Sequence, residues 1–192
     1  HRHNQWFYPY NEVVDGRDFF NTEEYWNAAF ELIDELIAVC QPPRFFHIGM
    51  DDDHDRASSQ FKNAICLLQN GLQKRNLRIA IWRDSRIDPR GLVFNEKHSL
   101  IENERPRDIV KMLWGYEGVG DTETISRIAS KGFEIWGAPG ERPEVIRQWR
   151  ENHCKNSCDG IVMTKWVPCT PQHELEIISM IQSKSDLYFK DI

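Results

Sequence analysis

The feature that most constrains the fold of this chain is a repeated alternation of short β-rich runs and longer segments with helical periodicity. "RFFHIG" (44–49), "LRIAIW" (77–82), "DIVKMLW" (108–114), "GFEIWGAPG" (132–140) and "GIVMTKW" (160–166) are the five β-rich runs. They recur at roughly thirty residues, the length of one strand, crossover and helix. Helical spacing appears in Trp26, Ala29, Phe30, Ile33, Ile37 and Cys40, after a capping-box pattern of Asn21 and Glu24 and before the breaker Pro42-Pro43. It returns in Phe61, Ile65, Leu68 and Leu72, in Thr122 to Lys131, and in Pro143 to Glu151. A closing helix is predicted from His173 to Ile181, with Leu175, Ile178 and Ile181 on one face.

This alternation predicts an α/β chain built from βα units around a parallel sheet, and two architectures provide that. A doubly wound sheet calls for a glycine-rich phosphate turn after one strand, and the sequence has none. What recurs is side-chain chemistry at strand ends: Asp51 and Asp52, Trp82 and Asp84, Trp114 and Tyr116, Trp136, and Trp166. Active sites of (β/α)8 TIM barrels are built at the C-terminal ends of their strands, so the barrel is the expected fold. A whole barrel needs eight strands and about 250 residues. The 192 residues therefore predict its C-terminal five βα units, one partial barrel over residues 1–192 whose first 20 residues form a long loop before the first helix. The chain starts at His1 without an apolar leader, and the expectation is a piece of something longer.

Composition narrows the partners. The net charge of −6 and the scattered basic residues disfavour a nucleic-acid backbone, and no apolar stretch is long enough to span a bilayer. A soluble protein with a neutral ligand fits this balance. The five cysteines are an odd number without scaffold spacing, which leaves the redox compartment open. His153, Cys154 and Cys158 lack a second pair of zinc ligands, so neither a metal nor another cofactor is expected.

The acidic knot in "FHIGMDDDHDR" (46–56) allows two readings, a solvated cap on a strand or a pair of working carboxylates. Neighbours on a strand point to opposite faces, so Asp51 and Asp52 could meet different parts of one substrate. Glycosidic cleavage needs a proton donor and a second group that stabilises positive charge near the anomeric carbon. Crowded carboxylates suppress one another's ionisation, which keeps one protonated near neutrality. Asp55 is a plausible N-cap for the following helix. Trp82, Trp114, Trp136 and Trp166 offer flat apolar faces and indole N–H donors for sugar rings. Each alone could equally be packing, as is expected for Trp26 and Trp149 on helices.

"FHIGMDD" resembles the fourth-strand motif of the glycoside hydrolase family 20 catalytic domain, the β-N-acetylhexosaminidases, in which His-x-Gly-Gly-Asp-Glu closes a barrel strand. "IAIWRDS" is similar to that family's fifth strand, and "TKW" to the tryptophan of its eighth. The resemblance runs over most of the chain from about Arg44, and only its first motif is specific. It implies a retaining glycosidase acting on terminal N-acetylhexosamine, in which the substrate's own acetamido oxygen is the nucleophile. By that analogy Asp51 orients the acetamido group and stabilises the oxazolinium intermediate, and Asp52 is the general acid and then the base. His47 supports the site from within, or is a hydrogen-bonded core histidine. Asp84 contacts a hydroxyl or the acetamido group, and Trp82, Trp114, Tyr116, Trp136 and Trp166 face the sugar. The family suits a secreted, periplasmic or lysosomal enzyme.

The sequence departs from that pattern. Met50 replaces the second glycine, Asp52 stands where the family has glutamate, and Pro168 stands where a glutamate follows the last tryptophan. The family's seventh-strand tyrosine and aspartate have no clear counterpart in "GAPGERPEV". Adjacent aspartates run similar chemistry in O-GlcNAcase-like enzymes, and a register using Asp52 and Asp53 is an alternative. Two other readings stand beside the enzyme: a non-catalytic sugar-binding barrel, and a metal-dependent hydrolase using Asp51, Asp53, His54 and Asp55.

Overall fold

The computed structural model describes residues 13–14, 17–18, 22–50, 57–83, 89–104, 108–119, 122–156, 158–168 and 170–190. Asp51, Asp52, Asp53, His54, Asp55 and Asp84 lie outside them, as does Asn21. The chain forms two compact units, His1–Ile81 and Trp82–Ile192.

In the first unit, β1 (Val13–Val14) and β2 (Arg17–Asp18) form a short antiparallel pair within the segment expected to be a loop. The α1 helix runs from Glu23 to Cys40, as its periodicity predicts. Its N-cap is Thr22, whose hydroxyl accepts from the Tyr25 N–H at 3.3 Å. The helix stops where Gln41 turns left-handed at φ 45° just before Pro42, which cannot continue it. Strand β3 (Phe45–His47) pairs in parallel with β4 (Arg78–Arg83), Phe46 opposite Ile79 and His47 opposite Ala80. Between them lies α2 (Ser58–Gln73). It starts behind Ala57, whose N–H donates to the Gln60 carboxamide at 2.9 Å, so Asp55 is two residues upstream of the cap position. Phe61, Ile65 and Leu72 are fully buried with Ile79 and Ile81. Each such side chain contributes about 1.5–3 kcal/mol through removal from water. The two helices meet closely at Gly71, where a Cβ would lie 2.2 Å from the Phe30 ring.

The second unit carries the end of β4, then α3 (Pro89–Glu104), β5 (Val110–Trp114), α4 (Thr122–Ser130), β6 (Ile135–Ala138), α5 (Pro143–Asn156), β7 (Gly160–Ile161), a 3-10 turn (Pro171–His173) and α6 (Glu174–Phe189). Parallel pairing sets Met112 opposite Trp136, Trp114 opposite Ala138, and Trp136 opposite Gly160. Val110 to Leu113 are all buried, as in a parallel strand covered on both faces. Trp149 on α5 is wholly buried, and its indole N–H donates to the Gly115 carbonyl at 3.1 Å.

The sheet order is β3-β4-β5-β6-β7, five parallel strands in chain order with helices between them. A doubly wound sheet reverses its order at a switch point, and this one does not. The topology is that of a partial (β/α)8 barrel. Among the described residues no helix is long and apolar enough to cross a membrane.

Two expectations are corrected. In α6, Leu175, Ile178 and Ile181 are 79%, 39% and 49% exposed, and the buried residues are Met180 and Tyr188. Polar anchors set the roll of this helix: the Tyr188 hydroxyl donates to the Gly140 carbonyl, and Arg150 donates to the carbonyls of Leu187 (3.0 Å) and Lys190. The "GIVMTKW" run is strand only at Gly160–Ile161, though the Val162 N–H still reaches the Gly137 carbonyl at 2.8 Å.

The α3 helix has no forerunner in the apolar pattern. Among its described side chains the buried ones are Lys97, His98, Ile101 and Glu102, so the inward face there is largely polar and not an apolar stripe.

Candidate functional site

Strand alternation divides the end of β4 between two environments. Trp82 points to one face and Arg83 to the other. On the Trp82 side, its ring lies 6.2 Å from that of Trp166, tilted by 44°. The Trp166 indole N–H donates to the Tyr116 hydroxyl at 2.6 Å. Tyr116 in turn stacks on Trp114, centroids 5.6 Å apart and planes 27° from parallel. Trp82, Trp166, Tyr116 and Trp114 are thus one connected aromatic wall, drawn from the C-terminal ends of β4 and β5 and from the segments after β5 and β7. Trp82 is buried, whereas Trp166 is 58% exposed. Such a surface matches the apolar C–H face of a sugar, with polar tips at its margins.

Trp136 is placed differently. Its register partners are Met112 and Gly160, two residues below the Trp114–Ala138 pair. Its indole N–H donates to Glu134 at 3.0 Å, and its ring packs so closely on Gly160 that a Cβ there would lie 2.9 Å from it.

Three residues outside the expected set hold the wall. Gly140, at φ 72°, lets the backbone approach the Tyr116 ring, where a Cβ would come within 2.8 Å. Tyr188 fixes the Gly140 carbonyl. Lys165, next to Trp166, bridges Glu141 at 2.7 Å and Glu176 at 2.8 Å. A lysine beside a tryptophan carries a weak signal in sequence, and the partners lie in other elements.

In the first unit, the Ile48 N–H extends the ladder to the Ala80 carbonyl at 2.9 Å before the chain leaves the strand. The His47 Nδ1 accepts from the Gly49 N–H at 3.2 Å, which assigns the neutral ring's proton to Nε2. Burial pushes the His47 pKa down to about 4, so the ring is neutral at physiological pH. The next two residues, Gly49 and Met50, both have left-handed backbone, φ 76° and 77°. Asp51 and Asp52 follow them, outside the described residues.

For glycine a left-handed φ costs nothing, but for Met50 it costs about 1–2 kcal/mol. Met50 is nonetheless buried at 8% exposure, and that burial opposes the strain. Two truncations separate these terms. Met50→Ala loses the burial and keeps the strained backbone; Met50→Gly loses the burial and relieves it. Urea unfolding is expected to find the glycine variant about 1 kcal/mol more stable than the alanine variant. Equal stabilities would show that the strain is absent.

On the Arg83 side of β4, a carboxylate is surrounded by cations. Glu102 accepts from Arg83 Nε at 2.9 Å and from Arg127 at 3.1 Å, with Lys111 Nζ at 4.0 Å. The side chains of Arg83, Glu102 and Lys111 are fully buried. Burial raises the Glu102 pKa, but Arg83, Lys111 and the hydrogen bonds from Arg83 and Arg127 outweigh it and hold it below the usual value. Burial, helped by repulsion from Arg83, brings Lys111 down to about 7 against the pull of Glu102. This cluster packs sheet against helices behind Trp82.

Cys158 is buried, and burial followed by the neighbouring Asp159 pushes its thiol up to about 12, the state of a packing cysteine. The side chains of His153 and Cys154 lie outside the described residues, as does Cys169. Among the described residues no three metal-ligating side chains converge.

No protein-family model matches the chain. No curated protein matches it either. Solved structures with similar folds include a mutant Streptomyces plicatus β-hexosaminidase in complex with its product GlcNAc, at 20% identity and a TM-score of 0.45, covering 62% of this chain and 21% of that one. The glycoside hydrolase family 20 β-N-acetylhexosaminidase of Streptomyces coelicolor is similar at 18% identity with the same score and coverage. Dispersin B is similar at 19% identity and a TM-score of 0.40, over 70% of this chain and 42% of that one. The chain spans about a fifth of the length of the Streptomyces enzymes.

Proposed function

We propose that this chain belongs to a glycosidase that releases terminal N-acetylhexosamine with retention, using the substrate's acetamido oxygen as nucleophile. The observation that carries this reading is the aromatic wall of Trp82, Trp166, Tyr116 and Trp114 at strand ends, with the half-exposed Trp166 face available to a sugar ring. The motif "FHIGMDD" supports it, because it supplies adjacent carboxylates directly after a strand.

The roles follow from the chemistry. Asp52 donates a proton to the departing glycosidic oxygen and, as the conjugate base, takes one from the incoming water. Asp51 accepts a hydrogen bond from the acetamido N–H, which turns its carbonyl oxygen toward the anomeric carbon and stabilises the charge that develops there. The tryptophans hold the ring and its acetamido methyl and exclude water. Neutral His47 braces the turn that launches the carboxylates through its bond from the Gly49 N–H. Asp84, following Trp82 and Arg83, is assigned to a sugar hydroxyl or the acetamido group. Trp136 is assigned a supporting place near the sugar.

Asp52 is one methylene shorter than a glutamate, about 1.5 Å less reach, so the left-handed turn at Gly49 and Met50 has to bring the backbone closer. The test is 4-nitrophenol release from its N-acetyl-β-glucosaminide by the full-length protein, beside Asp52→Asn. Release is expected to fall about a hundredfold in the variant, the low end for loss of a general acid. Saturable GlcNAc binding without any release would identify a sugar-binding barrel and exclude the enzyme. Activity abolished by a chelator would point instead to the metal-dependent reading.

A further inference from the structure

We propose that Tyr116 is a positioning residue: its hydroxyl fixes the orientation of the exposed Trp166 indole, so that the sugar-facing plane is formed before ligand arrives. This rests on the sugar-site reading above and assigns Tyr116 a role behind the ring-facing surface.

The geometry carries the argument. Trp166 stands five residues beyond the end of β7, where no strand pairing restrains it, and more than half of it is exposed. An exposed indole on such a segment would ordinarily sample several rotamers. Beside the Trp82 ring, restraints of different chemistry act on it. On one side Lys165 is held between Glu141 and Glu176, in the β6–α5 connection and in α6. On the other the Trp166 N–H donates to Tyr116, fifty residues away in sequence.

Tyr116 can hold an indole only because it is itself held. Its ring is stacked on Trp114 and covered by the Gly140 backbone, whose carbonyl is bound by the buried Tyr188. A hydroxyl rigidly placed at 2.6 Å from the indole nitrogen removes rotamer freedom from Trp166 in advance. Sugar binding then loses less entropy. Because the indole N–H is committed to Tyr116, Trp166 presents its face and not its donor to the sugar.

The test uses Tyr116→Phe, which keeps the stacked ring and removes the hydroxyl. In the 192-residue chain the Trp166 indole N–H signal, assigned by Trp166→Phe, is followed by NMR while N-acetylglucosamine is titrated. The expected result has three parts. In Tyr116→Phe the signal moves upfield and exchanges with solvent several-fold faster. The sugar binds about fivefold more weakly, the effect of one hydrogen bond. In the Trp166→Phe background, Tyr116→Phe has no further effect on affinity. An unmoved indole signal overturns the proposal, and so does an equal loss of affinity with and without Trp166, which would place the Tyr116 hydroxyl on the sugar itself. If the unaltered chain binds no sugar while the indole responds to Tyr116→Phe, the positioning role stands and the sugar reading falls.

Discussion

Replacing Glu102 by glutamine is expected to destabilise the second unit by about 3–5 kcal/mol, enough to unfold a marginal domain. The substitution hardly changes shape, so the effect is electrostatic. Arg83 and Lys111 are fully buried and share the Glu102 carboxylate with Arg127. Taking the negative charge away leaves buried cations facing one another, with Lys97 and His98 buried on the same helix. Attraction that offsets their desolvation becomes repulsion. Replacing Lys111 by methionine should have the opposite character. It removes the most weakly paired cation, 4.0 Å from the carboxylate, and substitutes a side chain of similar length, so stability at pH 7 is expected to be unchanged or higher.

The two variants also differ in pH response. Lys111 titrates at about 7 in the folded chain, down from its ordinary 10.5. Between those values the unfolded chain holds a proton that the folded chain has released, so stability rises with pH across the window. Denaturant titrations at pH 7, 8 and 9 should show that rise in the unaltered chain and its loss in Lys111→Met. A stability independent of pH between 7 and 9 in both would show that Lys111 stays charged.

The second large effect is expected at Trp149. Truncation to alanine should cost at least about 3–5 kcal/mol, because it empties the space of the largest fully buried side chain among the described residues and leaves the Gly115 carbonyl without its indole donor. The glycines around it are sized to this ring. A Cβ at Gly137 would lie 2.3 Å from it, and one at Gly115 would lie 3.2 Å from it and 2.3 Å from the Gly118 carbonyl. Gly137→Ala is therefore destabilising in the presence of Trp149 and should be far better tolerated once Trp149 is a phenylalanine. Additive effects of the two changes would contradict that packing. Since Gly115 lies between Trp114 and Tyr116, Trp149→Ala should also loosen the aromatic wall, seen as weaker protection of the Trp166 indole N–H.

The alternation of strands and helices was legible because apolar residues repeat with the period of the element they occupy. β4 and β5 announce themselves by runs such as Ile79–Trp82 and Val110–Trp114, and α1, α2, α4 and α5 by their stripes. The strand-end aromatics were visible for the same local reason, since each directly ends or follows a β-rich run. Local pattern sufficed for the type of these elements and for parallel topology.

Tertiary structure decided what depends on partners far along the chain. The α3 helix is hidden in sequence because its described inward side chains include Lys97, His98 and Glu102, and cations of β4, β5 and α4 hold Glu102 there. The α6 helix turns Leu175 outward and Tyr188 inward, because the latter finds the Gly140 carbonyl forty-eight residues away. Among the aromatics, the sequence treats Trp136 and Trp166 alike. The structure gives one to Glu134 and Gly160 and the other to Tyr116 and Trp82. Periodicity records whether a side chain leaves water, which is a local property of the chain. Which donor meets which acceptor across elements is set by long-range packing, and for pairs such as Trp166 with Tyr116 or Tyr188 with Gly140 no short window of sequence contains both partners.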